Sequence, residues 1–337
     1  MKALMIEHEG RTRFHEIANP QEGPGEVRVA VRHVGLCGSD LNTFRGLNPL
    51  VVLPRIPGHE IGGEIIAAGP GVAPEYAPGR RVIVMPYTSC GRCASCRKGR
   101  TNACRHNRTL GVQQDGGLAE EVVLPAAKLI LNDTLAPPHL ALVEPLSVGF
   151  HAVARGRVAA GERVAVLGCG MIGMGVLIGA VARGAEVIAV DLSAEKLALA
   201  RRFGARHTID ASRQDAVAEV LALTGDDGVD VAFEAVGTPA TFTQCIALAG
   251  FAGRVVYVGY SKAPVTYETQ AFNLKELDIL GSRNATADDF LAVIAYLERL
   301  GAEADALITR VVPFGDAEAA LPYWDKNRDA LKVMVAR

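Results

Sequence analysis

Val164-Ala165-Val166-Leu167-Gly168-Cys169-Gly170-Met171-Ile172-Gly173 is the stretch that decides the fold. Four consecutive apolar residues read as a short buried strand. They run into a G-x-G-x-x-G turn and then a helix-like segment that continues to Arg183. Glu186-Val187-Ile188-Ala189-Val190 reads as a second strand and ends at Asp191. Strand, glycine turn, helix, strand and acidic residue in that order are the context a dinucleotide-binding βαβ unit requires. Gly168 allows the tight turn, Gly170 lets the backbone approach a pyrophosphate, and Gly173 lets the helix sit close to the sheet. The helix opening at Met171 and Ile172 offers free N–H groups and a positive dipole end to the phosphates. Asp191 can accept both ribose hydroxyls and would repel a 2′-phosphate, so NAD is favoured over NADP.

The alternation continues toward the C-terminus. Strands are predicted at His207 to Ile209, Val229 to Glu234, Arg254 to Val258 and Leu277 to Leu280, with a helix from Ser212 and another before Arg254. That supplies six strands for a doubly wound α/β sheet. After Ser282 the pattern changes again. Asp288 to Leu300 is an amphipathic helix, and Val311 to Phe314 and Leu331 to Val335 are short strand-like segments that close back onto the first domain.

On the N-terminal side, Glu26 to Val34 alternates apolar and polar residues, the signature of a half-buried strand. Similar runs recur at Ile61 to Ala68, Arg81 to Met85 and Leu118 to Leu124. The pairs Gly23-Pro24, Pro70-Gly71 and Pro78-Gly79 mark turns between them. This half reads as a compact β-rich domain.

The whole chain, 337 residues with 49% hydrophobic and 21% charged, suits two domains that each bury a core. A net charge of −2 provides no field for nucleic acid or an anionic membrane. The N-terminal Met1 to Glu9 lacks the apolar core of a signal peptide, and Val164 to Val181 is interrupted by five glycines. The expectation is a cytoplasmic chain, where clustered cysteines are metal ligands more often than disulfides.

Four of the seven cysteines are clustered: Cys90, Cys93, Cys96 and Cys104, spaced C-x2-C-x2-C-x7-C. Four thiolates on a short loop can close around one tetrahedral zinc, with disulfides and an iron–sulfur cluster as the alternatives. With every position filled by protein, such a zinc is structural. Two further motifs are weak in isolation: Cys37-Gly38-Ser39-Asp40, and Pro57-Gly58-His59-Glu60 with a ligand and a carboxylate between glycines.

In this order, Cys-Gly-Ser-Asp, Gly-His-Glu, the four-cysteine lobe, Glu144-Pro145-Leu146-Ser147-Val148 and the late glycine fingerprint resemble the zinc-dependent medium-chain dehydrogenases across essentially the whole chain. The polyol and sugar-acid branch is the most similar. The resemblance implies a GroES-like β-rich catalytic domain over 1–148 with its zinc lobe at about 88–106. A Rossmann domain would cover 149–286 and a return to the catalytic domain 287–337.

It also implies two zincs per chain and NAD. Cys37 and His59 would hold the catalytic zinc with Glu60 or Glu144, often with a water completing the shell. Asp40 would hydrogen-bond the far nitrogen of His59, and Ser39 would begin the proton relay. Lys332 matches a position that pairs with the cofactor pyrophosphate, a solvated lysine being the alternative.

The implied activity is oxidation of a secondary alcohol, with zinc as Lewis acid and hydride passed to the nicotinamide. The substrate expected is a hexonate such as L-galactonate or L-gulonate. Arg283, with Asn284, is the candidate for its carboxylate, unless Arg283 pairs with Glu144 or Glu60 instead. A hexitol or pentitol is the second reading, and a non-catalytic NAD- and zinc-binding protein a third. A zinc-free quinone or enoyl reductase would not need Cys37, His59 and the lobe.

Two departures stand out. Asn42 replaces a relay histidine of many relatives and cannot take up a proton, so the exit uses water or the cofactor ribose. Glu121 stands where close relatives often carry an aromatic residue, or at the surface. A homodimer or homotetramer is implied, with small-molecule partners only.

Overall fold

The computed structural model describes all 337 residues. Chain contacts divide it into two units, Met1–Pro145 with Thr286–Arg337, and Leu146–Ala285.

In the second unit, six parallel strands lie in the order His207–Asp210, Glu186–Asp191, Arg163–Leu167, Val229–Glu234, Ala249–Tyr257, Asp278–Gly281. This is the doubly wound order, reversing beside the glycine strand Arg163–Leu167. Helices with built-in caps join the strands. Ser193 Oγ accepts from Lys196 N, Asp215 from Val217 N and Ala218 N, and Thr238 from Thr241 N.

The apolar segment interrupted by glycines spans the strand Arg163–Leu167, the glycine turn and the buried helix Met171–Ala182. Its glycines are contact points. A Cβ on Gly173 would lie 1.7 Å from Gly168 O, and one on Gly149 would lie 2.3 Å from the Gly175 carbonyl carbon. At Gly175 this helix therefore meets Gly149 of the helix Val143–Arg155 backbone to backbone, which any larger residue would prevent.

The first unit is built on a seven-stranded sheet. Its path runs Arg310–Pro313, Val333–Ala336, Glu26–Gly35, Glu60–Ala68, Arg81–Val84, Leu129–Leu131, and Glu121–Pro125 pairs with Glu26–Gly35. Val27, Val29, Ile61, Ile65, Val82, Val333 and Val335 build its core. The two late strands thus join the sheet begun by Glu26–Gly35. The hairpin of Lys2–His8 and Arg11–Glu16 and the strand Leu129–Leu131 lie outside the strands predicted above. The helix Ala287–Leu300 starts in a capping box between Thr286 and Asp289.

Candidate active site

The register of two strands assembles the site. Gly35 at the end of one strand pairs with Glu60 at the start of the next. Cys37 follows the first strand as the N-cap of the helix Gly38–Phe44, and His59 precedes the second. Asp40, 1% exposed, ties the two segments together: Oδ2 accepts the Cys37 N–H at 2.8 Å and Oδ1 the Gly58 N–H at 3.2 Å. Gly58 holds φ +94°, which lets the chain turn there.

This corrects the role expected of Asp40. Its Oδ1 is 4.0 Å from His59 Nδ1, beyond hydrogen-bond length, and that nitrogen is buried without a partner. Asp40 hydrogen-bonds the backbone that carries the ligands and reaches the imidazole by charge alone.

One atom each from Cys37, His59 and Glu60 stands within 4.8 Å of the others. A thiol, an imidazole and a carboxylate at that spacing form a donor set that fits zinc. The unpaired His59 nitrogen and the buried, unpaired Ser39 Oγ leave polar capacity beside them. Burial works to lower the His59 pKa, but the negative charges of Cys37, Asp40 and Glu144 prevail and hold it well above its usual value. Burial pushes the Glu60 carboxyl up to about 7, with Lys332 pulling against it and Glu144 adding to it. The pocket is an excess of negative charge, and a divalent cation would reverse these trends.

Glu60 has a dedicated counter-charge. Lys332 Nζ lies 2.6 and 2.5 Å from its two oxygens and donates to Leu36 O at 2.9 Å, with both side chains 1% exposed. A solvated Lys332 is therefore excluded, and its ammonium is committed to Glu60. Gly35 makes room for the pair, since a Cβ there would meet Glu60 Oε2 at 2.0 Å.

Glu144, 4% exposed, enters from the first turn of the helix Val143–Arg155 and accepts the Tyr87 O–H. Neither Tyr87 nor Gly35 carries a motif, so no sequence signal marks them.

In the lobe, the four sulfurs of Cys90, Cys93, Cys96 and Cys104 lie within 4.8 Å of one another and none of the cysteines is in a disulfide. Cys93 Sγ is 3.5 Å from Cys96 Sγ and 3.8 Å from Cys104 Sγ. Zinc–sulfur bonds of about 2.3 Å in a tetrahedron require sulfur separations of about 3.8 Å, so the cage fits zinc. The helix Ala94–Arg97 and the 3-10 turn Thr101–Ala103 set that spacing. Cys104 Sγ also accepts from Cys90 N and His106 N, both at 3.3 Å.

In the second unit, Asp191 Oδ1 accepts from Leu192 N at 2.8 Å and Ser193 N at 2.9 Å, and Oδ2 from Cys169 N at 2.6 Å. The acidic residue thus shapes the glycine turn as well as facing the cavity beside it. That cavity of about 450 Å³ is lined by Gly168, Gly170, Asp191, Lys196, Val236 and Thr241 among others, a size that suits part of a dinucleotide. No side chain or backbone comes within 4 Å of where a Cβ on Gly170 would sit, which leaves its backbone open to a phosphate.

Arg283 and Asn284 follow the last strand of this unit. Arg283 is exposed, and Asn284 sits in the left-handed region at φ 52°. Asn42 is half-buried in the helix Gly38–Phe44. Glu121 is paired with Arg28 on the sheet.

Comparison with known proteins agrees with this geometry. Residues 23–134 match the alcohol dehydrogenase GroES-like domain, and residues 172–299 match the zinc-binding dehydrogenase family. L-galactonate-5-dehydrogenase of Escherichia coli (strain K12) is 36% identical over 94% of this chain and 93% of that protein. Sorbitol dehydrogenase of Bacillus subtilis (strain 168) is 36% identical over 83% and 81%. A zinc-binding dehydrogenase from Sinorhizobium meliloti 1021, solved with NADP, superposes with a TM-score of 0.92 at 33% identity, over 100% of this chain and 99% of that one. With both family models, relatives along most of its length and two cages that fit zinc, the chain belongs to the zinc-dependent medium-chain dehydrogenases, as an NAD-dependent alcohol dehydrogenase of the polyol and sugar-acid branch.

Proposed function

We propose that the protein oxidises a secondary hydroxyl of a sugar acid, a hexonate such as L-galactonate or L-gulonate, to the keto acid with NAD. The observation that carries this reading is the crowding of Glu60 and Glu144 around Cys37 and His59, with Ser39 Oγ unpaired beside them. Glu144, a second buried carboxylate beside the ligand set, adds acceptor capacity that a polyhydroxylated substrate can use and a simple alcohol does not need. The likeness to L-galactonate-5-dehydrogenase supports the acid. The likeness to sorbitol dehydrogenase supports a neutral polyol as the second reading.

Bound at Cys37, His59 and Glu60, zinc supplies Lewis acidity toward the substrate oxygen, and bound NAD supplies the hydride acceptor. The chain's residues do the rest. Asp40 fixes the backbone of both ligand segments, and Ser39 Oγ takes the proton of the substrate hydroxyl while passing its own on to water. Lys332 neutralises Glu60 in the closed interior, a role distinct from one at the pyrophosphate. Gly170, Met171 and Ile172 hold the cofactor phosphates on the turn that Gly168 and Gly173 shape, and Asp191 holds the ribose. Arg283, with Asn284, is assigned to the substrate carboxylate. Residues 1–148 and 287–337 would form the catalytic domain and 149–286 the cofactor domain, in a cytoplasmic homodimer or homotetramer.

The test is NADH formation with L-galactonate, L-gulonate, galactitol, sorbitol and L-threonine. Preference for the aldonates, lost in Arg283→Ala, is the expected result. Activity on neutral polyols alone would replace the sugar-acid reading with the polyol one. A preference for NADP would overturn the role given to Asp191.

A further inference from the structure

Each of the two carboxylates at the site has its own hydrogen-bond donor, and the donors differ in kind. Glu60 faces the Lys332 ammonium with both oxygens, whereas Glu144 Oε1 accepts the neutral Tyr87 hydroxyl. Glu60 stands with Cys37 and His59 within ligand spacing, and Glu144 is outside that group although its charge is felt by both His59 and Glu60. Tyr87 is fixed from several sides. It is 9% exposed, its backbone pairs with Thr109, and its ring meets the buried Phe290 edge-on with centroids 6.5 Å apart. A buried phenol must keep an acceptor, and a buried carboxylate loses much if its donor is removed.

Resting on the reading that this cluster holds zinc, we infer that Tyr87 is a positioning residue that holds Glu144 outside the Cys37–His59–Glu60 set. It thereby reserves the metal for a single carboxylate and keeps a coordination position for substrate. Without the hydroxyl, Glu144 Oε1 loses the donor that holds it and turns to the metal. The metal then gains a second carboxylate, holds more tightly and loses the position open to substrate.

The experiment uses the full-length enzyme with cobalt(II) exchanged for zinc, the Cys37→Ser spectrum being subtracted to remove the four-cysteine cage. Cobalt absorbs strongly in the visible when four-coordinate and weakly at higher coordination. Tyr87→Phe keeps the ring and removes only the hydroxyl. It is expected to shift the visible band without loss of its four-coordinate strength and to slow zinc release to a chelator about tenfold. The double variant Tyr87→Phe/Glu144→Gln is expected to return both readouts to wild type, which a general packing defect would not do. A Tyr87→Phe enzyme with unchanged spectrum and release rate overturns the inference. So does a double variant that stays as altered as Tyr87→Phe. Absence of any Cys37-dependent cobalt band overturns the zinc reading itself, and the inference with it.

Discussion

The two candidate zinc cages are built on opposite plans. The cage of Cys90, Cys93, Cys96 and Cys104 comes from fifteen consecutive positions, lies partly exposed, and uses one chemical group four times. The cage of Cys37, His59 and Glu60 has His59 and Glu60 buried, uses three kinds of donor, and depends on residues far along the chain. Lys332 is 272 positions from Glu60. The first needs only a short loop to close, a small entropy cost. The second requires the sheet to form first, and its uncompensated charges become costly wherever that sheet is imperfect. A closed all-thiolate cage suits a structural ion, while mixed donors with unused capacity suit chemistry.

The largest expected effect tests that division of labour. Cys37→Ser should lower kcat at least about a thousandfold, because Lewis-acid stabilisation is worth several kcal/mol, while metal analysis falls from two zincs to one. Cys104→Ser should also remove one zinc, but its principal consequence should be a lower unfolding temperature. If the two variants lose activity and stability in the same proportion, the contrast between the cages collapses.

Next comes the buried pair. Lys332→Met strips the buried Glu60 of its ammonium partner, at a cost of about 3–5 kcal/mol in urea unfolding, and Lys332→Met/Glu60→Gln should recover most of it. No recovery would mean that Lys332 contributes packing and not charge. Gly35→Ala is expected to cost about 1–3 kcal/mol by crowding the Glu60 carboxylate, and to reduce metal occupancy at Cys37 without touching the cysteine lobe.

The smallest effect belongs to the lobe. In chelator-stripped protein, the Ser95 hydroxyl and neighbouring N–H groups bring Cys93 down to about 5, while desolvation and the adjoining sulfurs push Cys96 up to about 11. A lowered pKa means that thiolate persists as pH falls until about 5, so at pH 7 Cys93 is ionised and Cys96 is not. Iodoacetamide should label Cys93 at least about tenfold faster than Cys96, and added zinc should protect both. Equal labelling would remove the asymmetry.

Legibility followed sequence distance. The glycine fingerprint, its flanking strands and Asp191 form a local pattern, and the six strands expected form one doubly wound sheet. The hairpin at Lys2–Glu16 passed unpredicted because its residues mix charge and apolar side chains without clean alternation. Asp40 was visible as a polar residue near Cys37, but its partners were not. The backbone N–H groups of Cys37 and Gly58 become neighbours only once the strands are in register.

The sequence by itself determined the doubly wound sheet, the four-sulfur cage and the identity of the donors, because each is encoded in residues close enough to constrain one another directly. Only the tertiary structure decided which buried carboxylate stands with Cys37 and His59, and which donor holds each carboxylate. Those outcomes depend on Gly35 opposing Glu60 in the sheet, on Lys332 returning from the far end of the chain, and on Tyr87 meeting Glu144. Carboxylates are alike in sequence and differ here only in their buried surroundings, where the nearest donor sets their position and their charge.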